Sequence, residues 1–364
     1  MAEDIKKQKT MKIPIIISIL LSIVFIIIIL YLTVKPSDIN ELKSIPIRYE
    51  FFAVAIFLNF LSWCLWGLRL KVLSNAADPY IKIKWWKSTK IVMANLFLAG
   101  ITPSMAGGEP IRIHLLTKEG MSFGCATASA LGERLVDAVF LLICVPFAFL
   151  IFRNKSNIGL INFGLTIGII VFLIAIVLFL YAIFKPEQTK NFLIWLNKKF
   201  SRFSKKKEKT RNVVRRINHE VDNFHSSMMI FLKEKKIVFF KAGIITLFMW
   251  TSGWLIPSMI LLGLGMDPFL IESIAAQVFL IIIIMMPLTP GSAGVTEISV
   301  GGLYAVIIGS TGPILGVFVL LFRFITYHMN LIVGAIFMQR IFKSVASFSM
   351  DMIQKKENNK KCKD

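Results

Sequence analysis

The sequence has few of the residues on which disulfide-stabilised and zinc-binding proteins depend. Only 4 of its 364 residues are Cys, and 4 are His. The cysteines show no paired spacing, and all but the last lie in apolar stretches; they are Cys64, Cys125, Cys144 and Cys362. Neither a disulfide framework nor a metal site is indicated. P-loop, Gly-x-Ser-x-Gly, HExxH and Asp-rich motifs are also absent, so we expect no enzymatic activity and no cofactor.

Acidic residues are scarce as well. The chain has 21 Asp and Glu against 42 Lys and Arg, which gives a formal net charge of +21. An excess of this size is typical of nucleic-acid binders, but here the basic residues concentrate in a few blocks between apolar segments. That distribution is typical of the cytoplasmic loops of membrane proteins. We therefore expect membrane lipids as partners and no nucleic acid.

Hydrophobic residues, in contrast, are abundant. They make up 56% of the chain, and the mean hydropathy is +0.71. The first apolar block, Ile13 to Val34, holds no charged residue in 22 positions, and about 20 helical residues cross a bilayer. Because no small-residue cleavage site follows, we interpret it as an uncleaved span. Apolar length predicts continuous spans at 13–34, 51–70, 121–152, 158–184, 237–262 and 312–338.

Four basic blocks separate these spans: Lys6 to Lys12, Arg69 to Lys90, 185–236, and the tail after Arg340. Counting crossings places all four on one side, which predicts a cell-membrane protein with both termini in the cytoplasm. The 185–236 block holds 15 Lys or Arg and 5 Asp or Glu, and apolar residues recur at helical spacing from 213 to 231. This pattern predicts an amphipathic helix, either on the anionic inner leaflet or solvated in the cytoplasm.

Two apolar segments do not fit a simple crossing. The first, Ile91 to Ile101, and the second, Ile274 to Leu288, each end at a Thr-Pro pair, a turn of small residues and a glutamate. The two turns read TPSMAGGE at 102–109 and TPGSAGVTE at 289–297; their residues are Thr102, Pro103, Gly107 and Gly108, and Thr289, Pro290, Gly291 and Gly294. Pro removes a backbone donor, so we expect broken, re-entrant helical hairpins that face protein or a wet cavity.

An arginine in an apolar span follows each glutamate at nearly the same distance. Arg134 comes 25 residues after Glu109, and Arg323 comes 26 residues after Glu297. We interpret this as an internal repeat with halves at 51–184 and 237–338. The crossing count makes the halves inverted, an arrangement typical of secondary transporters that bind substrate near the membrane midplane.

Seven charged residues fall in these apolar surroundings: Glu109, Arg112, Glu133, Arg134, Asp137, Glu297 and Arg323. An unpaired charge at the bilayer centre costs on the order of 3 kcal/mol, so we expect pairs. The repeat predicts Glu109 with Arg134 and Glu297 with Arg323, while Asp137 could also reach Arg134 along one helical face. The charges could merely lock helices together. They could instead form a translocation site, where guanidinium groups hold a phosphate and carboxylates hold a cationic headgroup or a proton.

Three stretches carry a family resemblance: AGGEPIRIHLL, LGERLVDAV and PLTPGSAGVTE. Together, and in this order, they resemble the lysylphosphatidylglycerol synthase transmembrane family, also called flippase-like proteins, from about Ile13 to Gln339. The resemblance implies lipid translocation. It does not imply lipid synthesis, because only about 25 polar residues follow the last span in place of an aminoacyltransferase domain. Ala293 and Val295 depart from the doubled glycine of the first motif.

The expected architecture is an all-α polytopic membrane protein with about six full transmembrane helices and two re-entrant hairpins in an inverted repeat. One flippase-like domain would cover 1–338, with a basic insert at 185–236 and a basic tail at 339–364, and a homo-oligomer is compatible with it. The expected function is a flippase for a phospholipid, an aminoacyl-phospholipid or a polyprenyl-linked sugar. The alternatives are a membrane-embedded lipid-modifying transferase and a small-solute or ion transporter.

Overall fold

The computed structural model describes residues 46–102, 107–153, 184–201, 233–284, 292–309 and 312–338, and isolated positions at 170–181 and 221–229. The regular structure in this part of the chain is helical, with no strand. The predicted span at 13–34 and the tail at 339–364 lie outside the described residues. The predicted span at 158–184 and the predicted amphipathic helix at 213–231 lie mostly outside them.

The described helices fall into two sets of four, separated by α5 (Pro186–Ser201). The first set is α1 (Tyr49–Ala77), α2 (Trp85–Ile101), α3 (Gly108–Lys118) and α4 (Phe123–Arg153). The second set is α6 (Lys236–Gly263), α7 (Leu270–Ile284), α8 (Val295–Ile308) and α9 (Pro313–Arg323). A π-helix, Phe324–His328, directly follows α9, and helical structure continues to Met338.

Within the described residues, four helices are long and apolar enough to cross a membrane. They are Tyr49–Ala77, Phe123–Phe152, Lys236–Gly263 and Pro313–Met338, and they overlap four of the predicted spans. Large aromatic side chains on them, such as Phe57, Phe147 and Phe240, are exposed on the protein surface. An outer surface of this kind is suited to lipid and not to water. The chain is an all-α polytopic membrane protein.

Each set has the same order of long, short, short and long helices. The lengths are 29, 17, 11 and 31 residues in the first set and 28, 15 and 14 for the first three helices of the second. The fourth is counted with its continuation through the π-helix, Pro313–Met338, and has 26 residues. The two leading helices pack antiparallel. Arg48 N, just before α1, donates to Gly263 O at the end of α6 at 2.9 Å, while Arg69 further along α1 contacts Thr246 near the start of α6.

The short helices extend further toward the N-terminus than the sequence predicts. The first begins at Trp85 instead of Ile91. Trp85 and Trp86 lie in its first turn, where Trp85 Nε1 donates to Cys64 O at 2.9 Å. The second begins at Leu270 instead of Ile274. In the basic insert, Lys190 of α5 contacts Asp222 at 2.6 Å, which ties α5 to the following segment.

Close approach between α1 and α2 depends on Gly67. A Cβ there would lie 2.2 Å from Thr89 Oγ1 and 2.7 Å from Thr89 Cα. We expect Gly67→Ala to destabilise the protein by about 1–3 kcal/mol, because α1 or α2 must shift to relieve the overlap. Thermal unfolding in detergent measures the effect.

Gly243 provides the matched control inside α6, since a Cβ there meets nothing within 4 Å. Gly243→Ala should leave the melting temperature unchanged or raise it, because alanine favours a helix interior over glycine by up to about 1 kcal/mol. Equal melting of Gly67→Ala and wild type would show that α1 and α2 do not approach this closely.

Candidate functional site

The first helix break places Glu109 at the start of α3. Thr102 Oγ1 donates to Leu98 O at 2.7 Å and accepts from Gly107 N at 2.9 Å, so one hydroxyl joins both sides of the break. At Gly108, a Cβ would lie 2.6 Å from Asn95 Oδ1. The glycine therefore lets α3 begin directly against α2. Pro103 lies outside the described residues.

The second break uses a different local geometry around Glu297. Gly294 has a φ of +84°, a conformation that strains other residues. Its N–H donates to Glu297 Oε2 at 2.7 Å, so this carboxylate caps the start of its own helix, α8. The other turn residues, Thr289, Pro290 and Gly291, lie outside the described residues.

A cluster of six charged side chains joins α1, α3 and α4. Its members are Arg69 from α1, Glu109 and Arg112 from α3, and Glu133, Arg134 and Asp137 from α4. Three guanidinium groups balance three carboxylates, so the cluster is neutral. Neutrality lowers the cost of placing so many charges in an apolar helix bundle.

Arg69 is the centre of this cluster. Its Nε lies 3.1 Å from Glu133 Oε1, and its Nη1 and Nη2 lie 2.5 and 3.3 Å from the two oxygens of Asp137. Arg112 Nη1 donates to the second oxygen of Glu133. The second half also contacts the cluster, because Trp250 of α6 donates from its Nε1 to Asp137 Oδ1 at 3.0 Å.

Only one edge of the cluster is accessible. Arg69, Arg112, Glu133 and Asp137 are buried, whereas the side chains of Glu109 and Arg134 are 34% and 40% exposed. These two form a hydrogen-bonded ion pair through Glu109 Oε1 and Arg134 Nε. The cluster therefore has a sealed interior and an ion pair at its open edge.

The corresponding pair of the second half is closed. Arg323 Nε lies 2.9 Å from Glu297 Oε1, and the two side chains are 4% and 0% exposed. The Arg323 guanidinium also lies over the Tyr327 ring, 4.0 Å from its centroid, a favourable cation–π contact. Tyr327 in turn donates to Gly100 O at 3.0 Å, which connects this pair to the end of α2.

The π-helix that follows Arg323 is held by the first half. Asn59 of α1 donates its amide to Ile325 O at 2.7 Å, which satisfies a carbonyl inside the π-helical turn. Such turns interrupt the α-helical ladder and occur frequently at functional sites. Nothing in the sequence pattern indicated this element.

Both ion pairs expected from the repeat are confirmed, but the prediction for Arg69 was wrong. The charge pattern predicts Arg69 in a cytoplasmic basic block, yet this residue is completely buried. Its partners explain the difference: two carboxylates from α4 neutralise it. Asp137 contacts Arg134 as well, at 3.9 Å, but its shorter contacts are with Arg69. The sequence contained a signal for this burial. Arg69 lies among apolar residues and is the one charged residue between Glu50 and Lys71.

Comparison with known proteins agrees with these motifs. Residues 15–334 match the model of the lysylphosphatidylglycerol synthase TM region. The chain belongs to this family. Among its relatives, an Archaeoglobus fulgidus protein named a UPF0104 membrane protein is 36% identical over 286 residues, which cover 78% of this chain and 84% of the relative.

More distant relatives carry the same name. One from Methanothermobacter thermautotrophicus is 25% identical and covers 70% of this chain and 74% of its own. Another from Pyrococcus horikoshii is 22% identical over 91% of this chain and 98% of its own. No solved structure matches the chain. In this chain, charged residues lie at the two helix breaks and in the spans that follow them.

Proposed function

We propose that this protein is a lipid translocator that moves a polar-headgroup lipid between membrane leaflets. The candidate lipids are a phospholipid, an aminoacyl-phospholipid and a polyprenyl-linked sugar. The observation that carries the proposal is the Glu109–Arg134 pair, which is partly exposed at a helix break and continues into a buried charge cluster. A headgroup could exchange with this pair while its acyl chains remain in lipid.

The two sets of helices would act as inverted repeats around that headgroup. Their matched order and the antiparallel packing of α1 against α6 support this arrangement. One pair, Glu109–Arg134, is accessible, and its counterpart, Glu297–Arg323, is buried. Alternating access needs this kind of asymmetry, in which the halves exchange open and closed conformations. Both termini would face the cytoplasm, and the basic insert would contact anionic lipid.

Transport fits the cluster better than catalysis does. A general base needs a carboxylate that can reach a substrate proton. Glu133 and Asp137 are buried and already accept hydrogen bonds from guanidinium groups, and the partly exposed Glu109 accepts one from Arg134. In the transport proposal, Arg134 and Arg323 hold an anionic phosphate, and Glu109 and Glu297 contact the rest of the headgroup.

Reconstitution in vesicles tests the proposal. Fluorescent phospholipids and polyprenyl-phosphate sugars are placed in one leaflet, and their appearance in the other is followed. We expect Glu109→Gln to slow wild-type translocation by at least about tenfold, because Arg134 would lose the carboxylate that replaces the headgroup when the lipid leaves. A Glu109→Gln, Glu297→Gln double variant, checked for folding, should be slower still.

Glu119→Gln is the matched control for this experiment. Glu119 directly follows α3, its side chain is 31% exposed, and it pairs with Lys87 at 2.5 Å, so its substitution removes a similar ion pair away from the cluster. It should translocate lipid at the wild-type rate. Equal translocation by wild type and the double variant would refute the proposal, and a new lipid species formed in the vesicles would favour the transferase.

A further inference from the structure

The Arg112 guanidinium has an unused pair of donors in the middle of the charge cluster. Its Nη1 donates to Glu133, but Nε and Nη2 are buried and have no hydrogen-bond partner among the residues that the structure describes. A buried donor without a partner is costly, because it gives up its hydrogen bonds to water and gains none in return. Nε and Nη2 form one edge of the guanidinium fork, the geometry that binds two oxygens of a phosphate or carboxylate.

The Nη2 end of this edge lies near Glu109. Arg112 Nη2 lies 3.6 Å from Glu109 Oε1, too far for a hydrogen bond, while the same oxygen is hydrogen-bonded to Arg134 Nε. Glu109 thus lies between two guanidinium groups and satisfies only one of them. A tetrahedral phosphate has enough oxygens to bind both.

We propose that a phosphodiester displaces the Glu109 carboxylate and binds between Arg112 and Arg134, so that Glu109 acts as an internal competitor for the substrate. This inference rests on the proposed function and names its substrate class. Glu109 can leave because its side chain is partly exposed, whereas Glu133 is sealed inside the cluster.

The net charge of the cluster should favour a phosphodiester over a phosphate monoester. The cluster is neutral with Glu109 in place, and one negative charge replaces another when a singly charged phosphodiester enters. A phosphate monoester carries nearly two charges above its second pKa of about 6 and would leave the cluster net negative in an apolar environment. The site should therefore prefer phosphatidylglycerol to phosphatidic acid.

Binding to the purified full-length protein in detergent tests this site without any transport. The probes are dihexanoyl phosphatidylglycerol, dihexanoyl phosphatidic acid, soluble glycerophosphoglycerol and inorganic phosphate, all at pH 8. We expect the wild type to bind phosphatidylglycerol more tightly than phosphatidic acid. Glu109→Gln should bind phosphatidylglycerol about tenfold more tightly, because the competitor loses its charge.

The gain should be similar for phosphatidic acid, because for either lipid it equals the cost of displacing the Glu109 carboxylate. Arg134→Gln, at a partly exposed position, should weaken phosphatidylglycerol binding about tenfold. Glu119→Gln should bind like wild type. Tighter binding of the lipid than of glycerophosphoglycerol identifies a membrane lipid as the occupant, and equal binding identifies a soluble phosphodiester.

Two results would overturn the inference: unchanged or weaker phosphatidylglycerol binding by folded Glu109→Gln, or a wild-type preference for phosphatidic acid or inorganic phosphate. Failure of the broader proposal looks different. A protein that binds phosphodiesters as expected but moves no lipid refutes translocation and leaves the site intact. A protein that translocates lipid but binds it equally with and without the Glu109 charge refutes the site alone.

Discussion

Replacing Arg69 with Met is expected to destabilise the folded protein by at least about 3–5 kcal/mol, the cost of breaking a buried ion pair from one side. The substitution keeps most of the side-chain volume but removes the donors that hold Glu133 and both oxygens of Asp137. Asp137 would then keep Trp250 and a 3.9 Å contact with Arg134. Thermal unfolding in detergent should show a large fall in melting temperature.

Lys71→Met is the matched control on the same helix. Lys71 is half-buried two residues further along α1, so this change removes a positive charge that is not sealed inside the charge cluster. It should alter stability by less than about 1 kcal/mol. Adding Asp137→Asn to Arg69→Met should restore part of the loss, because the double variant contains no unneutralised carboxylate. Equal melting of Arg69→Met and Lys71→Met would contradict the central position of Arg69.

The two repeat-related glutamates should differ sharply when each is changed to Gln. Glu297→Gln leaves the Arg323 guanidinium charged and buried, and we expect a loss of about 3–5 kcal/mol. Glutamine can still accept from Gly294 N, so helix capping should persist and the loss reports the ion pair. Glu109→Gln should cost less than about 1 kcal/mol, because the Glu109 and Arg134 side chains are 34% and 40% exposed and exposed ion pairs contribute little to stability.

A comparison of melting temperatures for the two variants measures this difference, with Glu119→Gln as a reference for loss of a surface pair. The same pair of variants separates structural from transport roles. If Glu297→Gln mainly loses stability and Glu109→Gln mainly loses transport, the Glu297–Arg323 pair holds helices together. The Glu109–Arg134 pair then exchanges with the substrate. Equal stability losses would show that the two sites are equally exposed.

Much of the helical architecture could be predicted because apolar length and charge spacing are local properties of the sequence. Four of the predicted spans correspond to long helices. Helix boundaries were less predictable: α2 extends through the aromatic residues Trp85 and Trp86, because a hydropathy pattern does not distinguish an interfacial anchor from the first turn of a helix. The π-helix at Phe324–His328 was not predictable, since it depends on Asn59 of a distant helix.

The sequence by itself predicted the pairs Glu109–Arg134 and Glu297–Arg323 from their shared spacing, because isolated charges are too costly in a membrane to remain unpaired. It left Asp137 open as another partner of Arg134. Only the tertiary structure decided that Arg69 neutralises Glu133 and Asp137, and that one pair is open while the other is sealed. Burial and charge balance depend on which helices pack together, and packing between distant segments is not encoded in local spacing.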